Sequence, residues 1–556
     1  MTRRLLLALS LAALAVAAPA AAQWKAGGVA FPITPYDDWS GFVPDGEGGV
    51  VFLFPPIFGT RQVRSQHLLA DGTPDPLDGS AGTLVAHGTW GVGDLAAIPD
   101  GSGGVVVELL ACGPPTAHTR CWENGWWSLL RAEGATPAPG WPDTGVVLGS
   151  STWYALPSLA TDGAGGAVLL RGSAVQRWTG AGVEAWTPEP GDSGVRFATS
   201  ATTKLDPHLA ADEAGGAWVA WSEAYLNDPL QKVVRLGHVS AAGLRTTGPA
   251  GLAVVIGPQL RSCGIVPDGA GGVYVAWAAP GASYDVVRVQ HVDATGAAWW
   301  DAAGVMAGPV IAGADLAMSA DGEDTVAMTV LDAPSSWRVQ KLASGAPAWA
   351  DAPEGRFVGV AGVATYGTRI LAGPDGGLFV FWSDARTGSS DPWATRLDAD
   401  GHAAPGWTLE GTALASLPAD EYPAALVSGG TKGEAIACWS RPSTAYPGLY
   451  DLVAQKLVSG GVVAAPPAPA ALALSAPWPN PASDGWTVSF RLSAPGEAVL
   501  ELFDVAGRRV ERLRVRVDDA APRQVRFAAG ALAPGVYRVR LSCAAGERTR
   551  VVVLAR

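Results

Sequence analysis

One turn sequence recurs along most of this chain of 556 residues, and it constrains the fold more than any other feature. The turn reads Asp-Gly-x-Gly-Gly or a close variant, an apolar run follows it, and successive copies begin 50 to 62 residues apart. Glycine supplies the positive φ that a tight hairpin needs, so each copy predicts a turn between two strands. The eight copies begin at Asp45, Asp100, Asp162, Asp212, Asp268, Asp321, Gly373 and Gly430, and the last three are degenerate.

Each turn leads into three further recurring elements. Apolar residues alternate along runs such as Val273–Trp277, and a period of two predicts a strand. A Gln-cation-apolar segment such as Gln290-His291-Val292 comes next, and a Trp such as Trp300 followed by a Gly-Val-like strand closes most units. With a short strand that leads into the turn, each unit of about 55 residues carries four strands, which is typical of a propeller blade.

The two ends of the repeat region complement each other. The last unit runs into Ala and Pro without its closing Trp and Gly-Val strand, whereas Trp24–Val29 carries that missing sequence. A first strand that completes the last blade leaves no open sheet edge. The sequence therefore predicts an all-β fold in which residues 23–463 form an eight-bladed β-propeller closed by the N-terminal strand. A seven-bladed ring and an open array are the alternatives.

The units resemble a repeat of large exported bacterial proteins, which reads roughly Asp-Gly-x-Gly-Gly, Val-x-Trp-x-Asp and Gln-Arg-Leu-x-x-x-Gly. Trp382-Ser-Asp-Ala-Arg386 keeps the fuller form, and the resemblance spans roughly residues 24–463. It implies a β-propeller fold and no particular substrate.

The N-terminus predicts export. Arg3 and Arg4 precede an apolar run from Leu5 to Val16, and small residues precede a cleavage point before Gln23, so residues 1–22 read as a signal peptide. No later stretch has the length and apolarity of a transmembrane helix. The expected location is secreted or on the outer cell surface.

A Pro/Ala linker at 464–471 separates the repeats from a C-terminal domain at 472–556. Alternating runs such as Val536–Leu541 predict about seven short strands, the pattern of a small Ig-like β-sandwich with one buried and one Arg-bearing face. The domain resembles the C-terminal sorting domain of the type IX secretion system and the FlgD-type Ig-like domain, which implies the secretion machinery as a partner. The residues that carry this resemblance are Pro479, Asn480, Pro481, Asp504, Gly507, Arg508, Gly535 and Tyr537. A plain Ig-like module remains the alternative.

Few residues suggest chemistry. The net charge of −13 disfavours nucleic acid. The five cysteines exclude a disulfide framework, although Cys112 and Cys121 lie close enough in sequence to form one disulfide in an exported protein. The turn aspartates offer too few oxygen ligands for calcium and fit the role of turn residues that accept backbone N–H groups. We predict no metal, cofactor or catalytic residue.

The cations of the Gln-cation-apolar segments allow two interpretations, a ring that grips an anion or side chains at a surface or snorkelling position that each pair with a nearby carboxylate. The second is favoured, because eight equivalent positions in a repeat usually serve the repeat. These positions are His67, Arg131, Arg177, His238, His291, Lys341, Arg396 and Lys456.

The predicted function is a non-enzymatic binding or structural role at the cell surface, with a glycan or protein ligand on a propeller face. Insertions such as Ala111–Trp127 and Ala224–Lys232 are the expected sites, because insertions decorate propeller faces. A secreted propeller hydrolase acting on glycans is the alternative, and it requires carboxylates and arginines clustered at one mouth of the ring. A spacer without a ligand is a third possibility.

Overall fold

The computed structural model describes residues 24–25, 27–31, 41–54, 62–76, 78, 82–87, 92–101, 104–111, 126–133, 136–138, 140–142, 145–150, 158–199, 202–225, 228–310, 316–320, 324–333, 336–417, 419–430, 433–443, 450–461, 473–474, 477, 482–492, 495–518, 523–530, 532–544 and 546–555. Within these ranges the regular structure is β-strand and no helix occurs, which confirms the all-β prediction. The predicted signal peptide, the cysteines Cys112 and Cys121, the linker and Pro479-Asn480-Pro481 lie outside the described residues.

The strands are numbered in chain order. The first fourteen are β1 (Val29–Ala30), β2 (Gly41–Pro44), β3 (Val50–Phe54), β4 (Gln62–Leu68), β5 (Thr83–His87), β6 (Val92–Pro99), β7 (Val105–Ala111), β8 (Trp126–Glu133), β9 (Thr136–Pro137), β10 (Val146–Ser150), β11 (Ser158–Thr161), β12 (Ala167–Arg171), β13 (Ala174–Trp178) and β14 (Val195–Arg196). The next seventeen are β15 (Leu205–Ala211), β16 (Ala217–Tyr225), β17 (Asp228–Val239), β18 (Leu252–Pro258), β19 (Arg261–Pro267), β20 (Val273–Ala279), β21 (Asp285–Val292), β22 (Val305–Val310), β23 (Met318–Ala320), β24 (Thr325–Ala333), β25 (Ser336–Ala343), β26 (Ala346–Pro347), β27 (Arg356–Phe357), β28 (Thr365–Ala372), β29 (Leu378–Asp384), β30 (Asp391–Leu397) and β31 (Thr412–Ala413). The last ten are β32 (Tyr422–Ser428), β33 (Glu434–Pro442), β34 (Tyr450–Val458), β35 (Ala473–Leu474), β36 (Gly485–Arg491), β37 (Gly496–Phe503), β38 (Arg509–Val517), β39 (Arg523–Ala528), β40 (Gly535–Cys543) and β41 (Gly546–Leu554).

Among the described residues, the strands from β1 to β34 form eight antiparallel sheets of four or five strands. Sheets one to seven are β2–β5, β6–β10, β11–β14, β15–β18, β19–β22, β23–β27 and β28–β31, and sheet eight contains β32, β33, β34 and β1. The first strand of each sheet contacts the first strand of the next, from β2 to β32, and β32 contacts β2. The first strands therefore follow one another in a closed circuit of contacts.

The N-terminal strand joins the last sheet to the first. In β1, Val29 pairs with Ala454 of β34, so the first strand of the described chain completes sheet eight. Trp24 is 1% exposed, and its indole N–H donates to the Ala70 carbonyl beyond β4, at 3.0 Å. Phe31 lies in one apolar cluster with residues of both sheet one and sheet eight.

The contact made by Trp24 recurs between other consecutive sheets. A Trp that follows the third strand of one sheet donates its indole N–H to the turn that follows the third strand of the next sheet, at 2.9 to 3.0 Å. The pairs are Trp24 with Ala70, Trp141 with Gly180, Trp186 with Ala241, and Trp349 with Ala399. These tryptophans therefore hold neighbouring sheets together, and Trp24 takes this role for sheet eight.

The hairpins at the two ends of the strands differ in sequence. Hairpins between first and second strands contain the Gly-rich turns, and we call the surface at this end of the strands the turn face. Hairpins between second and third strands, such as the one that joins β29 to β30, lie at the opposite end of the strands, which we call the loop face. Ala224–Lys232 lies in such a hairpin, between β16 and β17, and the insertion from Ala111 to Trp127 connects β7 to β8 on the same face.

The C-terminal module has two antiparallel sheets, β35–β36–β39 and β38–β37–β40–β41. Its core contains Trp486, Phe490, Phe527 and Tyr537. Along β38, arginines such as Arg514 alternate with apolar residues that pack against this core, as period two requires. The predicted division into an apolar face and an Arg-bearing face is therefore present.

Candidate binding site on the loop face

Hydrogen bonds within the turn face account for the recurring aspartates. In the third unit, Oδ1 of Asp162 accepts the N–H groups of Ala164 at 2.8 Å and Gly166 at 2.7 Å, which closes the turn. Asp45, Asp212 and Asp268 make the same two bonds. Among the described residues, no group of three His, Cys, Asp or Glu side chains is arranged to hold a metal ion. Turn formation thus explains these aspartates.

The cations of the repeat pair with carboxylates of their own unit. His67, Arg131, Arg177, His238 and His291 contact Oδ2 of the turn aspartate at 2.8 to 2.9 Å, Arg396 pairs with Asp375, and Lys456 pairs with Glu434 at 3.0 Å. The expected pairing with carboxylates is present, and the side chains of His67, Arg131 and Arg177 are 14 to 24% exposed. His291 is fully buried and the side chains of Arg396 and Lys456 are 6% exposed, which is deeper than a surface or snorkelling position. These groups are committed within the protein, which disfavours the anion-gripping interpretation.

Several of these cations also reach the following unit. Lys341 Nζ donates to the Gly376 carbonyl at 2.7 Å, and Lys456 Nζ donates to the Gly48 carbonyl at 3.0 Å. Although burial opposes both shifts, the contact between Asp45 and His67 lowers the pKa of Asp45 and raises the pKa of His67. The turn face therefore serves to join the sheets.

The loop face of sheets seven and eight holds three buried carboxylates. Asp384 accepts the indole N–H of Trp382 at 2.8 Å and pairs with Arg386, and Glu421 accepts the indole N–H of Trp439 at 3.0 Å. Asp391 accepts a hydrogen bond from the Thr387 hydroxyl. All three side chains belong to residues that are 0% exposed.

The environment of this cluster favours the protonated form of two carboxyl groups. Burial raises the pKa of Asp391 to about 7, and the charges of Glu421 and Asp384 add to this effect. Burial also raises the pKa of Glu421 to about 7. Two neighbouring carboxylates that are shielded from water repel each other strongly. Near neutral pH, Asp391 and Glu421 are therefore partly protonated, whereas an exposed pair of carboxyl groups would be fully ionised.

Three exposed tyrosines lie beside the buried cluster. Tyr366 is 51% exposed at the start of β28, Tyr422 is 43% exposed at the start of β32, and Tyr450 is 40% exposed at the start of β34. A side chain at Gly367 would meet Pro423 at 3.3 Å, so the residues that follow Tyr366 and Tyr422 adjoin. The tyrosines therefore form one patch across sheets seven and eight, which we call the tyrosine patch.

Neither the tyrosine patch nor the pair Asp391 and Glu421 was predicted from the sequence. The sequence indicates these residues only weakly. Tyr366 and Tyr422 each lie at the start of a strand, and Asp391 lies seven residues after Asp384. Nothing in the sequence shows that these residues meet.

A cleft of about 760 Å³ opens elsewhere, between sheets six and seven. Its lining includes Arg338, Arg356, Asp351 and Glu410. Arg356 binds both carboxylate oxygens of Asp351, at 2.9 and 3.0 Å, and Arg338 donates to the Gly355 carbonyl at 3.1 Å. Because Arg338, Arg356 and Asp351 already have partners, the cleft offers a weaker case for a ligand than the tyrosine patch.

The described motif residues of the C-terminal module stabilise turns. Asp504 Oδ1 accepts the N–H groups of Ala506 and Arg508, both at 2.9 Å, and Gly507 has a φ of +77°. Arg508 pairs with Asp504 through an exposed side chain. The Tyr537 hydroxyl donates to the Ala533 carbonyl at 2.6 Å, and Gly535 begins β40 between them.

Replacing Tyr537 with phenylalanine should therefore destabilise the module by about 1 kcal/mol, because the hydrogen bond to the Ala533 carbonyl is lost while the ring stays packed. Hydrogen exchange measured by mass spectrometry on the full chain should show faster exchange in peptides from β36 and β40. Peptides from sheets one to eight provide the internal reference, and an equal change there would contradict this prediction.

Comparisons with known proteins place the C-terminal module in a family. Residues 477–555 match the family model of a secretion system C-terminal sorting domain, which confirms the sorting-domain prediction. The match implies secretion to the cell surface or the extracellular space through the secretion machinery. No helix long and apolar enough to cross a membrane occurs among the residues that the structure describes.

Over most of its length the chain is distantly similar to several solved structures. No curated protein matches it. Puromycin hydrolase is 15% identical with a TM-score of 0.37, and the match covers 75% of this chain and 61% of that one, so this chain spans about three fifths of that enzyme's length. The BP39L lectin from Burkholderia pseudomallei is 13% identical with a TM-score of 0.36, covering 66% of this chain and 98% of the lectin. Polysaccharide lyase Uly1 is 9% identical with a TM-score of 0.35, covering 74% and 88%. These values are too low to indicate a shared activity.

Proposed function

We propose that this protein is a non-enzymatic binding protein of the cell surface, in which an eight-bladed β-propeller presents a ligand site on its loop face and an Ig-like C-terminal module directs export. The observation that carries the proposal is the sorting-domain match at residues 477–555, together with an exposed aromatic patch on the loop face of the remaining chain.

Three observations support the eight-bladed ring. Eight sheets of four or five strands follow one another in the described residues, their first strands contact in a closed circuit, and β1 completes sheet eight. The Trp24 and Lys456 contacts with the first unit then join the two ends of the circuit. A closed ring fixes both ends of the repeat region and leaves only the short outer edges of the blades.

Two observations support the Ig-like interpretation of the C-terminal module. It packs sheets of three and four strands over one apolar core, and Trp486 and Tyr537 lie together in that core with ring centroids 6.4 Å apart. Two sheets of this size over a shared core fit a small sandwich.

The arrangement of the acidic groups favours binding over catalysis. A hydrolase needs carboxyl groups that reach the substrate. Asp384, Asp391 and Glu421 are 0% exposed, and Trp382, Trp439 and Thr387 donate hydrogen bonds to them from within the protein. These carboxyl groups therefore stabilise the loop face from the protein interior and do not contact a ligand.

The alternative is a secreted propeller hydrolase acting on glycans. It is favoured by one observation, the raised pKa of both Asp391 and Glu421, to about 7, next to exposed aromatic residues. This function would require the two carboxyl groups to become exposed when a substrate binds.

Export is tested by comparing the full chain with a chain that ends at Ala471, both produced in the native host. We expect the full chain on the outer surface or in the medium, with Gln23 as its new N-terminus by mass spectrometry, and the shortened chain in the periplasm. The Tyr537→Phe variant serves as the matched control, because it keeps the module and should still be exported. Equal export of the full and shortened chains would contradict the sorting role.

A further inference from the structure

We propose that the tyrosine patch binds a neutral saccharide chain, with the rings of Tyr366, Tyr422 and Tyr450 stacking on sugar faces and Asp420 accepting sugar hydroxyl groups. This inference rests on the proposed binding function and names its ligand class.

The strand register places two of the three rings on one side of sheet eight. Tyr422 pairs with Ser440 of β33, and Tyr450 pairs with Pro442 of the same strand. Paired residues share a face of an antiparallel sheet, and so do residues two apart along a strand, so Tyr422 and Tyr450 project from the same side. One strand lies between them, which separates their backbones across the sheet by about 10 Å.

The third ring extends this row into sheet seven. Tyr366 pairs with Ser383 of β29, and the bulge that follows it in β28 keeps the strand start at the rim of the loop face. The contact between Gly367 and Pro423 brings it next to Tyr422. Consistent with this placement, Tyr366, Tyr450 and Asp420 all contribute, after burial, to a raised pKa of Tyr422. The three tyrosines therefore lie at the starts of β28, β32 and β34 on one region of the loop face, where a single extended chain could contact them.

Polar groups around the rings match a polyhydroxylated ligand. Asp420 is exposed and is held by the Ser390 N–H, which donates to its Oδ1 at 2.8 Å. The hydroxyl oxygens of Thr365 and Thr368, on either side of Tyr366, are buried without a hydrogen-bond partner in the described structure. Because these two oxygens are buried, Asp420 and the tyrosine hydroxyl groups are the polar groups of the patch that a ligand would reach.

The charge of the residues at the tyrosine patch favours some of the ligands that stack on aromatic rings over others. Asp420 lies at the patch, Asp451 is paired there with Arg441 at 3.9 Å, and the chain carries a net charge of −13, so phosphate and other anions are disfavoured. Tyrosine offers an apolar face together with a hydroxyl that donates and accepts. A neutral saccharide presents C–H groups on its ring faces and hydroxyl groups at its edges, which complements both features.

The test is calorimetric titration of the purified full chain with linear hexaoses of β-1,4-glucose, α-1,4-glucose, β-1,4-mannose, β-1,4-xylose and β-1,4-N-acetylglucosamine. We expect at least one to bind, and Tyr422→Ala to weaken that binding about tenfold or more, with Tyr422→Trp restoring most of it. The matched control is Tyr284→Ala, because Tyr284 is also 43% exposed but lies on the loop face of sheet five. This control should change the affinity by less than about twofold.

Three outcomes would overturn the proposal: no hexaose binds at millimolar concentration, Tyr422→Ala and Tyr284→Ala have equal effects, or decaproline binds with the same dependence on Tyr422 while the hexaoses do not. The last outcome would identify a Pro-rich peptide as the ligand. Failure here is distinguishable from failure of the export experiment, since titration uses purified protein and does not depend on its location.

Discussion

Replacing Trp24 with alanine should lower the free energy of unfolding by about 3–5 kcal/mol, the range expected when a buried Trp is truncated. Trp24 is 1% exposed, donates to the Ala70 carbonyl and packs with residues of sheets one and eight, so its loss weakens the contact that joins the two ends of the circuit. Denaturant unfolding followed by circular dichroism measures the change. Trp299→Ala is the control, because Trp299 is 50% exposed, and it should cost about 1 kcal/mol or less. Equal losses in the two variants would contradict a closing role for Trp24.

The same contact can be tested from its other side. Gly72 has a φ of +80°, and a Cβ there would lie 2.7 Å from Cγ of Trp24. Gly72→Ala should therefore destabilise the protein through both backbone strain and a clash. In the Trp24→Ala background the clash is gone and only the strain of about 1 kcal/mol should remain. Additive effects of the two substitutions would show that the residues do not contact each other.

The second large effect concerns pH. The pKa of Asp391 in the folded protein, about 7, lies above the ordinary carboxyl value, so the folded state binds more protons than the unfolded state between about pH 4 and pH 7. Stability should therefore fall as the pH rises through this window. The asparagine side chain in the Asp391→Asn variant cannot ionise. This variant should therefore be more stable than the wild-type protein at pH 8 by about 2–4 kcal/mol, with little difference at pH 4. Glu421→Gln should act in the same direction, because the pKa of Glu421 is also raised to about 7.

Unfolding free energies measured from pH 4 to pH 8 test this prediction. The charged groups that act on the pair are Asp384, which is paired with Arg386, and Arg441, whose charge lowers the pKa of Glu421. Asp351→Asn is the control, since Asp351 is 56% exposed and Arg356 lowers its pKa, so its titration falls below the window. A wild-type profile that is flat from pH 5 to pH 8 would contradict the buried, protonated pair.

The strands and their turns were predictable because they depend on neighbouring residues. Alternation along Val273–Trp277 and the glycines before it define a strand and its turn without any distant contact. The turn aspartates are similarly local, since Asp162 bonds to the N–H groups two and four residues later. Motifs of the sorting domain were recognisable for the same reason, and the match at 477–555 confirms a sorting domain there.

The tertiary structure decided how the units meet. The cations were expected at a surface or snorkelling position, yet His291 and Lys456 are buried, because each also contacts the next unit, which its own segment does not specify. Tyr366, Tyr422 and Tyr450 come from two units and from positions 28 to 84 residues apart, and only the packing of β28 against β32 brings them into one patch. Sequence alone determined the repeated unit, since its period and turn residues are local. The tertiary structure decided where the exposed aromatic groups and the buried acids lie, because the packing between units depends on residues far apart in the chain.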